Sequence, residues 1–302
     1  MKLKTNRVAI LLFTILLSLL LINPAFTQDA AQQPKPKMGF NPFQMDSRAK
    51  EIAYNFSDTN KELKYCLFVS SKVKKDTKAP LIVTLHGLGA GPSIMMNKQA
   101  VDLAEEGGYI LVAPMGYNER GWYGVPFSIP AGKTPPKPAP ANEGAAAKPA
   151  PKASLFFNPN DPPNLHELSE KDVMNVLDMV RKEHKIDENR IYLMGHSMGG
   201  AGTLYLGSKY GSIWAAIAPI APAAFGIEPD ILEKIKNMPI VFVHGATDEV
   251  VPVDVSRRWV EKAKALNMTY EYKEMEGITH GPVITAALPA VYEFFGKHSK
   301  SK

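Results

Sequence analysis

The fold is decided by residues 190–206, which read RIYLMGHSMGGAGTLYL. The stretch opens with the apolar run IYLM, which is typical of a buried strand. Small residues and an apolar helical pattern follow, with Gly195, Ser197 and Gly199 in the order G-x-S-x-G. The stretch therefore predicts a strand, a tight turn at Ser197 and a helix.

Ser197 is the candidate nucleophile of this turn. Such a turn strains the backbone of the serine and brings its neighbours close together, so side-chain atoms at Gly195 and Gly199 would clash. A helix that starts with small residues and carries an incidental serine is the alternative interpretation. His196 points away from the turn in this arrangement, and we interpret it as a packed or hydrogen-bonding residue.

Strands alternate with helices along the chain from residue 63 onward. Short apolar runs, as expected of strands covered on both faces, are separated by segments whose apolar residues recur with helical spacing. This alternation predicts an α/β fold with a mostly parallel central sheet and helices on both faces, in which reactive residues lie at the carboxyl ends of the strands. The predicted strands are residues 63–70, 81–85, 109–113, 190–194, 214–220, 240–243 and 269–275, and two helix starts are expected at Ser93 and at Ser169 with Asp172.

An acid and a base are expected further along the chain, because a serine hydroxyl needs a base to take its proton and the base needs an orienting acid. In sheets of this kind the acid and then the base follow the serine. Asp248 lies just after the predicted strand 240–243, and His280 lies between the next strand and the last helix. We therefore predict Asp248 as the acid and His280 as the base for Ser197. The residues weighed against them are His244 and His298 as bases and Glu249, Asp254, Glu274 and Glu276 as acids.

The loop HGLGAG, residues 86–91, directly follows the predicted strand 81–85 and is a candidate oxyanion hole. Acyl transfer builds negative charge on a carbonyl oxygen, and backbone N–H groups stabilise that charge. Met198, the residue after the nucleophile, is expected to supply one N–H and Leu88 the other, with Gly89 as the alternative to Leu88. The loop lacks the Lys-Ser/Thr pair of a phosphate-binding P-loop, and His86 is expected to tie it down.

Four segments within residues 63–295 together resemble the α/β-hydrolase superfamily, namely LIVTLHGLGAG, RIYLMGHSMGGAGT, VFVHGATDEVVPV and GITHG. Their spacing is similar to that of secreted esterases of the polyhydroxybutyrate-depolymerase and feruloyl-esterase type. It also resembles the catalytic domains of prolyl-oligopeptidase-family peptidases, although no repeated β-rich propeller region precedes it. The resemblance implies the α/β-hydrolase fold, with Ser197 as nucleophile, Asp248 as acid and His280 as base.

Three segments are expected to lie outside the packed core. Residues 1–27 combine a basic start with an uncharged apolar run and predict a signal peptide, so the mature protein would be secreted or periplasmic. Attachment to a membrane is expected only if that segment stays uncleaved. Residues 28–47 form a polar, Pro-containing tail, and residues 126–163 hold 11 of the 25 prolines, which predicts a Pro/Ala-rich surface loop. The loop is an insert in a single α/β-hydrolase domain, residues 48–302.

Trp122 and Tyr123 lie just before this insert and after the predicted strand 109–113. Near the mouth of the site they would stack on an aromatic or sugar part of a substrate. An equally open interpretation is that the two rings anchor the insert to the core.

The composition excludes several classes of protein. A hydrophobic fraction of 45% with 22% charged residues indicates a folded chain. The net charge of +5 comes from 35 basic and 30 acidic residues without a long basic run, so nucleic acid is not the expected partner. Cys66 is the single cysteine, which excludes an internal disulfide framework and a zinc site built on cysteines.

These residues together predict a secreted serine carboxylesterase that uses no metal or organic cofactor and hydrolyses a small-molecule or polymeric ester through an acyl-enzyme. A serine peptidase of the prolyl-oligopeptidase-like type would use the same triad and is the alternative. A third interpretation is a catalytically inactive hydrolase fold that binds ligands, and the presence of Ser197, Asp248 and His280 argues against it.

Overall fold

The computed structural model describes residues 43–126 and 158–300, which belong to one compact unit. Three predicted segments lie wholly or partly outside the described residues: the signal peptide 1–27, the tail up to residue 42, and residues 127–157 of the insert. Within the described ranges, no helix is long and apolar enough to cross a lipid bilayer.

One eight-stranded sheet forms the centre of the described fold. Its strands are β1 (Lys50–Phe56), β2 (Lys61–Val69), β3 (Ala79–Leu85), β4 (Ile110–Pro114), β5 (Ile186–His196), β6 (Ala216–Ile220), β7 (Ile240–Gly245) and β8 (Tyr270–Met275). In the order β1-β2-β4-β3-β5-β6-β7-β8, the pairs β1/β2 and β2/β4 are antiparallel and all other neighbours are parallel. The predicted mostly parallel sheet is therefore confirmed. The sequence did not predict β1, whose residues are mostly exposed or half-buried and so form no apolar run.

Helices cover both faces of this sheet. Those in the described part of the chain are α1 (Lys98–Gly107), α2 (Leu165–Glu183), α3 (Met198–Lys209), α4 (Asp254–Ala265), α5 (Val283–Ala286) and α6 (Leu288–Lys297). Buried residues of α2, α3 and α4 share one core with Leu81 and Val83 of β3, while those of α1, α5 and α6 share the other core with Ile82. Successive side chains of β3 thus enter opposite cores, as the two-residue period of a strand requires.

Two helix starts differ from the predictions. A 3-10 helix, Pro92–Met96, comes first, and α1 then begins after Asn97, whose Oδ1 accepts the Ala100 N–H at 3.1 Å, so Ser93 is not the cap. α2 begins at Leu165, one turn before Ser169. The sequence predicted a helix start at Ser169 because serine is a common capping residue. In the structure the Ser169 hydroxyl and the Asp172 carboxylate instead accept backbone N–H groups of the loop that follows β4.

The strand register gathers the carboxyl ends of five strands, β3 and β5 to β8, at one edge of the sheet. Leu85 at the end of β3 pairs with Gly195 of β5, and the β5 residue His196 pairs with Ile220 of β6. Gly245 at the end of β7 pairs with Met275 at the end of β8. Loops that leave these strands therefore emerge side by side, where the reactive residues were predicted.

Candidate active site

Ser197 occupies a strained turn between β5 and α3. Its φ of 58° and ψ of −116° lie outside the regions that most residues adopt. A Cβ at Gly195 would lie 2.3 Å from the Gly199 carbonyl oxygen, and one at Gly199 would lie 2.2 Å from the carbonyl oxygen of Leu85. Both glycines are therefore required by close backbone approach, which confirms the geometry predicted for G-x-S-x-G.

Backbone hydrogen bonds hold this turn against the sheet. The Ser197 N–H donates to the Ile220 carbonyl at 3.0 Å. The Ser197 carbonyl accepts the N–H of Ala201 in α3 at 3.0 Å and that of Ala223, after β6, at 2.9 Å. These bonds keep the strained conformation of Ser197, whose side chain is nearly buried.

His280 and Asp248 form a hydrogen-bonded pair across two loops. His280 Nδ1 lies 2.6 Å from Asp248 Oδ2, and the other carboxylate oxygen accepts the N–H groups of Val250 at 2.9 Å and Val251 at 2.8 Å. Because a carboxylate accepts, Nδ1 of His280 carries the proton and Nε2 is left as the basic nitrogen. Burial alone would raise the pKa of Asp248, but its hydrogen bonds from His280, Val251 and Val250 outweigh burial and hold that pKa below its ordinary value.

The structure brings this pair next to the serine turn. The ring of His280 lies 4.5 Å, centroid to centroid, from the ring of His196, which directly precedes Ser197. The Asp248 carboxylate is fully buried, while 12% of the His280 side chain remains exposed. A buried acid, a base with one accessible edge and a serine on a sharp turn are the parts that nucleophilic catalysis requires.

The predicted oxyanion loop lies against the same turn. A Cβ at Gly87 would lie 3.4 Å from Ser197 Cβ. The Gly89 N–H donates to the Glu119 carbonyl at 2.9 Å and so cannot serve an oxyanion, which leaves Leu88 as the candidate from this loop. Met198 is the first residue of α3, and the N–H groups of a first helical turn have no intrahelical acceptor.

Side-chain bonds fix this loop from behind. His86 is fully buried, and its Nε2 lies 2.8 Å from the carbonyl oxygen of Met115, just after β4. Tyr123 Oη donates to the His86 carbonyl at 3.1 Å. The structure therefore gives His86 the anchoring place that the sequence suggested.

Trp122 and Tyr123 do not line the site. Only 3% of Trp122 and none of Tyr123 is exposed, and both rings belong to the core under α2 and α3. The Tyr123 N–H donates to Ser169 Oγ at 3.0 Å, and burial raises the pKa of its phenol. Burial of both rings argues against the substrate-stacking interpretation, because sequence position near a strand end does not reveal which way a ring points. Anchoring of the insert by these rings stays a prediction, since residues 127–157 lie outside the described residues.

Three of the alternative acids and bases are engaged elsewhere, while Glu249 and Glu276 lie exposed on the surface. Asp254 and Glu274 pair with Arg257 on the surface, and His298 Nδ1 lies 2.8 Å from the Phe294 carbonyl near the end of α6. His244 is fully buried behind Asp248, with Nδ1 2.6 Å from Ser256 Oγ. The sequence offered His244 as an alternative base and did not predict its place beside the Asp248 carboxylate. A contact between a strand end and the loop that follows it is not visible in the pattern of neighbouring residues.

Side chains that could bind a metal ion do not cluster in the described residues. Across residues 43–126 and 158–300, no three His, Cys, Asp or Glu side chains converge as a metal site would require. The expectation that no cofactor is needed stays a prediction.

Comparisons with known proteins give partial matches along the sequence. Residues 160–299 match the family model described as phospholipase/carboxylesterase. Over 80 residues the chain is 38% identical to a bifunctional acetylxylan esterase/xylanase of Neocallimastix patriciarum. This alignment covers 26% of this chain and 11% of that protein. Over 96 residues the chain is 31% identical to cutinase 2 of Thermobifida cellulosilytica. This second alignment covers 32% of this chain and 35% of that protein. The chain thus matches about a tenth and a third of the length of these relatives.

A structural likeness extends over most of the chain. The crystal structure of a thermostable esterase is similar with a TM-score of 0.59 and 26% identity, over 84% of this chain and 64% of that one. The eight-stranded, mostly parallel sheet and this structural likeness show that the chain has the α/β-hydrolase fold. The three similar proteins reported above are named as esterases or a cutinase.

Proposed function

We propose that this protein is a secreted serine carboxylesterase with Ser197, Asp248 and His280 as its catalytic triad. The observation that carries the proposal is the 2.6 Å bond between His280 Nδ1 and Asp248 Oδ2 beside the strained Ser197 turn. The esterase names of the partial relatives support the same chemistry.

Acylation uses the exposed edge of His280. Ser197 Oγ attacks the ester carbonyl carbon while His280 Nε2 takes the hydroxyl proton, and Asp248 stabilises the imidazolium that forms. The negative oxygen of the tetrahedral intermediate accepts hydrogen bonds from the N–H groups of Leu88 and Met198, each worth roughly 3 kcal/mol in the transition state. His280 then protonates the leaving alcohol, and the acyl group stays on Ser197 Oγ.

Deacylation repeats these steps with water. A water molecule attacks the acyl carbon as His280 Nε2 takes one of its protons. When the second tetrahedral intermediate collapses, the carboxylic acid leaves and the proton returns to Ser197 Oγ. No redox or group-carrying cofactor is needed for either half of the reaction.

We propose that the substrate is an ester with an apolar acyl group, on the basis of two exposed apolar side chains that lie close in sequence to residues of the site. Among the described residues, Phe225 and Val250 are the large hydrophobic residues left most exposed, at 57% and 59%. Phe225 follows Ala223, which bonds the Ser197 carbonyl, and Val250 bonds the Asp248 carboxylate through its N–H. In the proposal, these two side chains contact the apolar acyl group and lose part of their exposed surface when the ester binds.

The acyl preference is tested by replacing both side chains with serine. In the double variant Phe225→Ser/Val250→Ser, kcat/KM for a p-nitrophenyl octanoate should fall about tenfold, which corresponds to roughly 1.4 kcal/mol of lost contact. The acetate ester, whose acyl group offers only one methyl group for apolar contact, is the control and should keep its rate. An equal loss on both esters would contradict the role in acyl binding.

The reaction itself is tested with matched esters and amides. The protein should hydrolyse short p-nitrophenyl esters, leave prolyl and aminoacyl nitroanilides intact, and form a fluorophosphonate adduct on Ser197. Ser197→Ala should lose activity by about 10⁴-fold or more and take no label. Ser208→Ala, a serine further along α3 whose hydroxyl donates to Tyr205, is the matched control and should stay active. Turnover of the anilides alone would reject the esterase assignment in favour of a peptidase.

Export is the remaining part of the proposal, and it rests on residues 1–27. Cell fractionation of a Gram-negative host expressing the full chain, followed by N-terminal sequencing, should find a mature protein outside the cytoplasm that starts near Gln28. An intact N-terminus in the membrane fraction would indicate an uncleaved anchor instead.

A further inference from the structure

Two buried histidines lie beside the His280–Asp248 pair, and the proposed reaction leaves both without a role. His196 is 5% exposed and His244 is fully buried. Both turn their Nε2 atoms toward the pair: that of His196 toward the backbone of His280, and that of His244 toward the carboxylate of Asp248. Buried polar groups with such directed contacts set the position of what they touch.

His196 links the serine turn to the loop that carries the base. Its Nε2 lies 2.9 Å from the carbonyl oxygen of His280. A carbonyl oxygen can only accept, so Nε2 carries the proton of the neutral ring and donates it. Since His196 directly precedes Ser197, this one bond joins the backbone of the nucleophile to the backbone of the base.

The neutral state of His196 suits this place. Burial, with a further effect of the neighbouring His280, lowers the pKa of His196 to about 3. The ring therefore stays uncharged at the pH values where esters are hydrolysed. A charged ring 4.5 Å from His280 would repel the imidazolium that forms during acylation.

His244 fixes the acid in a comparable way. Its Nδ1 lies 2.6 Å from Ser256 Oγ, while Nε2 lies 3.0 Å from the Val251 carbonyl and 3.2 Å from Asp248 Oδ2. Since both groups near Nε2 are acceptors, Nε2 carries the proton and Nδ1 accepts the hydrogen of the Ser256 hydroxyl. The hydrogen bond of Nε2–H is to the Val251 carbonyl, with Asp248 Oδ2 as a second and longer contact, and the Val251 N–H donates to Asp248 Oδ1. His244 therefore holds the carboxylate both by direct contact and through the backbone of Val251.

We propose that His196 and His244 are positioning residues that hold the catalytic pair in register with Ser197, each through one Nε2–H donor. The proposal rests on the triad assignment above. His196 fixes the backbone of His280, and His244 fixes the orientation of the Asp248 carboxylate. Because a misplacement of about 1 Å can lower a rate about 100-fold, such bonds are felt in kcat.

Asparagine and glutamine variants test the donor at each site. A glutamine amide nitrogen reaches the place of Nε2, whereas an asparagine amide nitrogen reaches only the place of Nδ1. His196→Asn and His244→Asn should lower kcat by about 10- to 100-fold with KM unchanged. His196→Gln and His244→Gln should recover to within about threefold of the parent protein. If the asparagine and glutamine variants are equally active or equally impaired, the donated Nε2–H does not matter and the proposal is overturned.

The pH profile separates positioning of the acid from simple loss of packing. The titratable groups that contact Asp248 are His280 and His244, and the ring of His196 lies against that of His280. The nearest acidic residue on β8, Glu274, is paired with Arg257. Removing the His244 donor leaves more negative charge on Asp248, which strengthens its attraction for a protonated His280. The acid limb of kcat/KM should therefore move to higher pH in His244→Asn and stay in place in His196→Asn. An unmoved limb in both would reject the part assigned to His244.

Ser256→Ala provides a milder variant in case the asparagine variants fold poorly. It removes the hydroxyl that holds His244 Nδ1 but keeps the imidazole itself, which is then free to turn away from Asp248. We therefore expect a fall in kcat of about three- to tenfold and the same upward pH shift. An unchanged kcat and profile in this folded variant would count against the role of His244. Failure of the esterase proposal looks different, because the parent protein itself would then hydrolyse no ester and take no fluorophosphonate label.

Discussion

At the scale of single residues, the serine turn stores strain that its neighbours must hold. Residues in such rare backbone conformations cost roughly 1–3 kcal/mol and persist only where surrounding contacts fix them. At Ser197 the surrounding contacts are three backbone hydrogen bonds and two glycines that allow β5, α3 and the end of β3 to meet.

A methyl group at Gly195 should therefore break the turn. Its Cβ would meet backbone atoms of Gly199 at 2.3 and 2.5 Å, which cannot move without shifting α3. We expect Gly195→Ala to lower the free energy of unfolding by about 3 kcal/mol or more in urea denaturation. Gly281→Ala is the matched control: its Cβ would meet its nearest neighbour, Phe43 Cζ, at an ordinary 3.9 Å, so its stability should change by less than about 0.5 kcal/mol. Equal stability of the two variants would show that the close approach is not rigid.

At the scale of elements, the first half of α2 holds the loop that follows β4. The Asp172 carboxylate is buried and accepts the N–H groups of Gly116 at 2.6 Å and Tyr117 at 3.1 Å, as well as the hydroxyl of Tyr54 on β1. Burial raises the pKa of Asp172, although these hydrogen bonds oppose it. One side chain thus connects a helix, an edge strand and the loop that leads to Tyr123.

Replacing this carboxylate by an amide should loosen that connection. In Asp172→Asn the one remaining oxygen is a weaker acceptor for the Gly116 and Tyr117 N–H groups, and the NH₂ group forces the Tyr54 hydroxyl to turn and accept, so we expect a loss of about 2–3 kcal/mol in the free energy of unfolding. Tyr54→Phe removes a single bond and should lose about 1 kcal/mol. Chemical denaturation of both variants measures the difference. A smaller loss for Asp172→Asn than for Tyr54→Phe would mean that the backbone N–H groups find other acceptors.

Local patterns in the sequence predicted the strands β2 to β8 and the residues Ser197, Asp248, His280, Leu88 and Met198 as a candidate site. They succeed because an apolar run, a G-x-S-x-G turn and a position after a strand are properties of neighbouring residues. The helix start at Leu165, the burial of Tyr123 and the contact between His196 and His280 depend on residues far apart in the chain. Ser169 and Asp172 mark the difference: as a local pattern they resemble a cap, but in the fold they serve a loop about 50 residues away.

At the scale of the whole molecule, the sheet separates two cores, and the site lies where both end. Residues of β3 and β5 alternate between the core under α2, α3 and α4 and the core under α1, α5 and α6. Because the carboxyl ends of β3 and β5 lie side by side, the loops that leave them pack against each other. Histidines at the ends of these strands or just after them are therefore buried, among them His86, His196 and His244.

These buried histidines should make the protein sensitive to acid. Burial lowers the pKa of His86, His196 and His244, while an unfolded histidine titrates near 6.5. Below that pH the unfolded chain binds protons that the folded chain does not, so the free energy of unfolding falls as the pH falls. For His196, with a folded pKa of about 3, the window runs from about pH 6.5 to about pH 3. Asp248 acts with the same sign at lower pH, and Asp172, whose pKa is raised, acts against it.

His196→Gln isolates the contribution of one ring to this sensitivity. Glutamine does not titrate, so between pH 6 and pH 4 the free energy of unfolding of this variant should fall less steeply than that of the parent, by about 1.4 kcal/mol per pH unit. Urea denaturation of both proteins at several pH values measures the two slopes, and the values at pH 7.5 serve as the reference for any loss of packing. Parallel slopes would mean that His196 is protonated in the folded protein, which would also place a positive charge beside His280 and contradict its role as a neutral donor.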